Sequence, residues 1–502
     1  MHLKTTLYDY QRKAADKLSN LRVGALYLDM GTGKTRVALE LAQRRLTAGK
    51  IDRVIWLCPT SETVKRNLRE DFDKHTEGWK SVITLCGIET LSTSVRENRR
   101  LLRLASLFRC FLVVDESLLV KNPRALRSIH ITRLAERCPY RVLASRSSAV
   151  LFPQPEVLLN GTPVSKNYAD LFSQWYILDW RILGYRSYWS FAANHLEYDE
   201  IYKHKVRRVL HPEYLTDKIA PYTVQITKEE VLDLPPKQYA TQWFALTEDQ
   251  EKEYCRVRDD FLSLEALYDN PESPLIYRTF NALQQVTSGQ FIATPARLPM
   301  RHYPMFLNPE DNPRIQALLK AIDAYVPRGE KAVVWCKYTH EILDIAKVLQ
   351  ARGENIALCY GGKRGKKRAQ ELERFEGSVR FLIANKGCAG FSLNLQYCHY
   401  MIFYNNDWDW ATREQAEDRM HRSEQKDSVI IIDICAFSKI DERILLCVNR
   451  KENMAHEFRR MLHSKNVISW LAGKDDLKDD TDRANRKAKA NGNQQICSNP
   501  SC

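Results

Sequence analysis

Lys34 and Thr35 close the segment Leu28-Asp29-Met30-Gly31-Thr32-Gly33-Lys34-Thr35, and its residue types suit a phosphate ligand. The apolar run Val23 to Leu28 precedes it and a helical stretch, Arg36 to Arg45, follows. Gly31 and Gly33 allow backbone N–H groups around Thr32 to close on phosphate oxygens, and a helix start favours the anion. Lys34 reaches the β- and γ-phosphates, and Thr35 sets its hydroxyl on Mg²⁺. The strict form of this pattern has Gly where this chain has Leu28. Phe111-Leu112-Val113-Val114-Asp115-Glu116 supplies a second element, an apolar strand ending in two carboxylates. Asp115 suits a contact to Mg²⁺ and Glu116 the polarising of an attacking water. A solvated turn would also explain adjacent carboxylates, but a phosphate loop in the same lobe argues against it. A nucleoside triphosphate with Mg²⁺ is the expected ligand.

Gln415 to Gln425 contains Arg419 and Arg422, three apart, as on one turn of a helix. Two guanidinium groups on one face suit bidentate contact with a γ-phosphate. An arginine pair on a helix is otherwise a solvated face.

The elements that must position these groups come in two series. Candidate strands are Gly24–Leu28, Val54–Cys58, Val82–Leu85, Phe111–Val114 and Val157–Leu159, then Ala332–Cys336, Ile356–Tyr360, Phe381–Ala384, Met401–Tyr404 and Ser428–Ile434. Strands alternating with helical patterns predict α/β lobes with parallel sheets. Residues 181–300 read as a helical insertion, for example Glu248 to Tyr268, and the polar segment 471–502 reads as a disordered tail. The expected domains are thus lobe one over 1–180, the insertion over 181–300, lobe two over 301–470, and the tail.

The 502 residues are 44% hydrophobic, ordinary for globular protein, and carry a net charge of +14, which favours a polyanionic partner. The 13 cysteines include no C-x-x-C pair, so zinc ribbons and redox dithiols are unsupported and a reducing compartment is expected. With no apolar stretch of about 18 residues and no apolar signal core after Met1, a soluble intracellular protein is expected.

In order along the chain, the segments resemble those of helicase superfamily 2, within it the Swi/Snf-type DNA translocases. Leu7-Tyr8-Asp9-Tyr10-Gln11 resembles the adenine-reading motif, with Gln11 on the base, and the phosphate loop is similar to the shorter G-x-G-K-T form used by many helicases. Cys58-Pro59-Thr60 resembles motif Ia, which places Pro59 and Thr60 on the nucleic-acid backbone. Asp115-Glu116-Ser117 with Lys121-Asn122-Pro123 is similar to the acidic motif. Asn160-Gly161-Thr162-Pro163 resembles motif III, whose Gly161 and Thr162 would couple hydrolysis to the track. In the second half, Val334-Trp335-Cys336, Tyr360-Gly361-Gly362, Leu393-Asn394-Leu395 (with Asn394 toward nucleic acid) and Gln415, Arg419, Arg422 and Gln425 resemble motifs IV to VI. The resemblance covers about residues 7 to 460 and implies two RecA-like lobes, ATP with Mg²⁺, and arginine fingers at Arg419 and Arg422. It also implies a monomeric motor moving on double-stranded DNA without sequence preference.

Two departures stand out. Trp408-Asp409-Trp410 replaces the family's Trp-Asn-Pro. Arg141-Val142-Leu143 already reads as the strand before Gly-Thr-Pro, yet Ala144 to Pro155 intervenes before Val157. Either this is a surface loop and Val157–Leu159 takes the strand position, or residues 144–155 interrupt the motor and leave a nucleotide-binding protein inactive as a translocase. The basic clusters Arg96–Arg103, Arg124–Arg127, Lys203–Arg208 and Lys363–Arg368 are candidate phosphate contacts.

Overall fold

Val23–Leu28 and Ala332–Cys336 are buried at every position, the condition of a strand covered by helices on both faces of a parallel sheet. The computed structural model describes residues 1–145, 165–198, 206–265, 273–293, 301–363, 366–386, 395–406, 410–422, 425, 427–449 and 496–497. Two compact units divide the chain, Met1–Asp233 and Leu234–Cys502.

In the first unit the strands of the main sheet are β1 (Val23–Leu28), β2 (Arg53–Cys58), β3 (Ile83–Gly87), β4 (Cys110–Asp115), β5 (Tyr140–Ser145) and β6 (Thr223–Ile226). They pair in the order β6-β1-β5-β4-β2-β3, all parallel. The place between β1 and β4 is filled by Tyr140–Ser145, with Tyr27 opposite Ser145 and Asp115 opposite Ala144. Ala144 and Ser145 therefore complete a strand and do not begin an intervening loop. Val157–Leu159, expected to form a strand, lies outside the described residues, as do 146–155. On one face of this sheet Leu112 and Val114 share a core with Leu134, Trp175 and Phe191, and on the other Leu26 and Trp56 share one with Val37, Leu41 and Phe72.

The second unit holds β7 (Lys237–Phe244), β8 (Ala332–Cys336), β9 (Ile356–Cys359), β10 (Phe381–Asn385), β11 (Tyr400–Phe403), β12 (Val429–Ala436) and β13 (Ile496–Cys497). Their order is β9-β10-β8-β11-β12-β7-β13, parallel except for β13, which runs antiparallel to β7. Both units are RecA-like lobes: a parallel sheet with helices on its two faces.

Residues 181–300, read from the sequence as one helical insertion, are divided between the units. Thr223–Ile226 adds the sixth strand of the first sheet, and Lys237–Phe244 runs parallel to Val429–Ala436 in the second. The first has only 4 residues and both are partly polar, so neither carries the long apolar signal of a central strand. The helices Glu248–Glu265 and Ser273–Thr287 follow and pack Tyr254, Val257, Phe280 and Leu283 against Ile440 and Ile444. Cys58, Cys86, Cys110, Cys138, Cys255, Cys336, Cys359, Cys398, Cys435 and Cys447 form no disulfide, and all but Cys255 are buried as small apolar side chains. No helix among the described residues is long and apolar enough to cross a membrane.

Candidate nucleotide and nucleic-acid site

The phosphate loop leaves β1 and turns into the helix Lys34–Thr47. Gly31 and Gly33 have φ of 83° and 87°, a left-handed backbone that other residues adopt at a cost. Thr32 is buried, and its hydroxyl donates to the Asp29 carbonyl at 2.7 Å. Lys34 Nζ donates to the Leu28 carbonyl at 2.7 Å, which holds its ammonium against the loop. Thr35, next on the helix, is half-buried.

Gln11 reaches this loop from the helix Asp9–Ser19. Its Oε1 accepts from the Tyr8 N–H at 3.1 Å, and its Nε2 donates to the Thr32 carbonyl at 3.0 Å. A Cβ on residue 33 would stand 2.2 Å from Gln11 Nε2, so Gly33 is required for space as well as for φ. The expected base-reading residue and the phosphate loop are thus brought together. The loop is braced from β6: Asp29 N–H donates to the Ile226 carbonyl and Asp29 Oδ2 accepts from Lys228 N–H, each at 3.1 Å.

At the end of β4, burial and then the neighbouring Glu116 push the Asp115 carboxyl up to about 7, while Lys34 acts in the opposite direction. A divalent cation there would relieve both effects, which fits Asp115 and Thr35 to an Mg²⁺ carried in with a triphosphate. Glu116 has φ 61° and ψ 58°, and its N–H donates to Asp115 Oδ1 at 3.1 Å. A left-handed glutamate directly after a catalytic-type aspartate is local strain of the sort that functional sites retain. The turn Ser117–Val120 continues from it. Ser117 Oγ donates to Gln174 Oε1 at 2.6 Å, and Ser173 Oγ donates to the Val120 carbonyl at 2.5 Å. Both partners lie on Ser165–Leu183, the helix just after Gly161 and Thr162, which are themselves outside the described residues.

Pro59 and Thr60 follow β2. Thr60 N–H and Oγ1 both donate to Glu89 Oε2, at 2.8 and 2.7 Å. Glu89 was not singled out by sequence reasoning, since nothing local marks a carboxylate that will fold onto a threonine from the next strand's end. Gly87 admits Thr60, whose Oγ1 would lie 2.4 Å from a Cβ there.

In the second unit the helix Trp410–Glu417 carries Gln415, half-buried, but stops before both arginines. Arg419 and Arg422 lie on the tight turns that follow, so the expectation of one helical face is corrected. Arg419 N–H donates to the Ala416 carbonyl at 3.2 Å, and its own carbonyl accepts from Leu395 N–H at 3.0 Å, which pulls the chain off the helical path. Arg419 is buried and Arg422 half-buried, with Arg422 Nε donating to the Asp418 carbonyl at 3.2 Å. Gln425 Nε2 donates to the Gln396 carbonyl at 3.1 Å. Asn394 lies outside the described residues.

A buried ion network fixes the helix that leads to these turns. Arg413 pairs with Glu417 at 2.9 Å and with Asp433, lies over the Phe403 ring at 4.0 Å, and donates to Asn406 Oδ1 at 2.6 Å. Lys237 Nζ pairs with Glu417 at 2.8 Å. Burial alone would raise the Glu417 carboxyl, but Lys237 and Arg413 together hold it below its ordinary value. Sequence reasoning passed over Arg413, although the four-residue spacing to Glu417 was a usable helical-pair signal. Of the basic clusters, Arg100 pairs with Glu97 and Lys363 with Glu371, so part of that charge is internally neutralised.

Residues 4–117 match the family model for the type III restriction enzyme, res subunit, and residues 313–424 match the helicase conserved C-terminal domain. A putative ATP-dependent helicase/translocase of Bacillus subtilis (strain 168) is 24% identical over 81% of this chain and 41% of its own length. An uncharacterized ATP-dependent helicase of Mycoplasma pneumoniae is 23% identical over 68% of this chain and 30% of its own. The rat SWI/SNF-related regulator of chromatin, subfamily A containing DEAD/H box 1, is 21% identical over 78% and 41%. The chain therefore spans well under half the length of these curated relatives.

Proposed function

We propose that this chain, a Swi/Snf-type member of helicase superfamily 2, hydrolyses ATP with Mg²⁺ and couples each turnover to movement along double-stranded DNA. The observation that carries the reading is the convergence of Gln11, the Gly31–Thr35 loop, Asp115 and the strained Glu116 at the C-terminal ends of β1 and β4, inside the first sheet. Gln11 would take the base, Lys34 and the loop N–H groups the phosphates, and Thr35 and Asp115 the Mg²⁺. Glu116 would orient the attacking water and receive its proton. Arg419 and Arg422 would supply positive charge to the γ-phosphate as it leaves, and Gln415 would add a polar contact to the nucleotide.

Movement would follow from loss of the γ-phosphate and the change in binding that it brings. Pro59, Thr60, Gly161, Thr162 and Asn394 are the assigned contacts to nucleic acid and to the coupling path. DNA is favoured over RNA by the relatives, which include a putative helicase/translocase and SWI/SNF-related regulators of chromatin. The reading of an interrupted, inactive motor is not favoured by the relatives, which are named ATP-dependent helicases and a helicase/translocase; residues 146–155 themselves lie outside the described residues.

Displacement of a triplex-forming third strand from duplex DNA, with ATP and Mg²⁺, tests the proposal. Displacement that requires hydrolysable ATP and is lost in Lys34→Ala is expected. Hydrolysis with no displacement on any duplex would refute movement while leaving the ATPase.

A further inference from the structure

A pocket of about 370 Å³ opens on the first unit, beside the helices Leu126–Ala135 and Ser165–Leu183. Phe172, Tyr176, Tyr188 and Trp189 line it together with Arg124, Arg133 and Arg186. Trp189 is 66% exposed, a large apolar surface left in water. Among the described residues none of the three arginines has a carboxylate partner. Arg124 lies over the Trp189 ring at 4.9 Å and Arg186 over Trp180 at 4.6 Å.

Three hydroxyls of the pocket lining are already engaged, those of Ser173, Thr132 and Tyr188, and the fourth is that of Tyr176. Ser173 Oγ donates to the Val120 carbonyl at 2.5 Å and Thr132 Oγ1 to the Ser128 carbonyl at 2.9 Å. The Tyr188 and Tyr198 hydroxyls share a bond at 3.3 Å. The four rings suit an apolar group where an occupant enters, and the three guanidinium groups suit an anion at the rim. Arginines without carboxylate partners are suited to bidentate contact with carboxylates.

We propose that this pocket docks an acidic peptide segment of a partner protein. One large apolar side chain seats among the four rings, and flanking carboxylates pair with Arg124, Arg133 and Arg186. The apolar side chain is the anchor and the carboxylates set the register.

The full chain, immobilised, is panned with a random dodecapeptide phage library and counter-selected on a Trp189→Ala, Arg133→Glu double variant. Enriched peptides are expected to place Asp or Glu around a Trp, Phe or Leu. A labelled synthetic copy should bind roughly tenfold more weakly to Trp189→Ala and to Arg133→Glu singly, a loss of about 1.4 kcal/mol each. Arg186→Lys, which keeps the charge but not the fork, should lose less than Arg186→Glu. All these side chains are exposed, so the variants should keep the wild-type melting temperature, which separates lost docking from lost folding. No enrichment, enrichment without acidic residues, or equal binding to the variants would overturn the proposal. So would a labelled oligothymidine whose binding falls in the same variants, since the pocket would then serve nucleic acid.

Discussion

Gln11 Nε2 donates to the Thr32 carbonyl at 3.0 Å, so the residue assigned to the base also fastens the loop assigned to the phosphates. The contact exists because residue 33 has no side chain. Replacing Gln11 with Ala would remove both the proposed base contact and this brace. KM for ATP should rise about tenfold, equivalent to about 1.4 kcal/mol, with a smaller change in kcat. Gly33→Ala should be more severe, since it adds strain at φ 87° and displaces the Gln11 amide. Steady-state kinetics of the two variants checks the order.

Asp115 yields a prediction about pH. Its folded value is about 7, against about 3.9 in an unfolded chain. Between these values the folded chain keeps a proton that the unfolded chain has released. This carboxyl therefore favours the fold at the acid end, and that advantage is lost as pH rises toward 7. Without nucleotide or Mg²⁺, the melting temperature of Asp115→Asn relative to wild type should climb from about pH 5 to about pH 7 and then level. A difference that is flat across that window would show that Asp115 is not held up by burial.

Glu116 pays for its position in backbone strain, so relieving the strain should separate stability from function. Glu116→Gly should stabilise the first unit by about 0.4–1 kcal/mol in urea melts if the glycine adopts the same left-handed backbone. It should also lower kcat about a hundredfold or more while ATP binding persists. A stabilised variant with full turnover would remove Glu116 from the chemistry.

Arg413 should behave as a structural cation. Arg413→Ala leaves Glu417 and Asp433 buried without their shared partner, and one-sided removal of a buried pair costs about 3–5 kcal/mol. Denaturant melts should show that loss with and without nucleotide. A change below about 1 kcal/mol would mean that Lys237 and Asn406 suffice to hold the network.

The sequence carried the strands that are buried on both faces, because their unbroken apolar runs are the direct imprint of a parallel sheet. The loop at Gly31 to Thr35 and the carboxylates at Asp115 were legible for the same reason: each sits where such a run ends. Thr223–Ile226 and Lys237–Phe244 were not, since half-polar strands at or near a sheet's edge have no pattern that separates them from the helices around them. The end of the helix at Glu417 was hidden too, because the tertiary bond from Leu395 N–H to the Arg419 carbonyl decides it. Glu89 on Thr60 and Gln174 on Ser117 join residues distant in sequence, and only the folded sheet reveals them.

The most direct test of the central claim is steady-state ATP hydrolysis with no nucleic acid, with duplex DNA, with single-stranded DNA and with RNA, beside Lys34→Ala. Stimulation of about tenfold or more by duplex DNA, absent in Lys34→Ala, is the predicted result. No hydrolysis under any condition despite bound ATP, or hydrolysis indifferent to duplex DNA, would contradict the account.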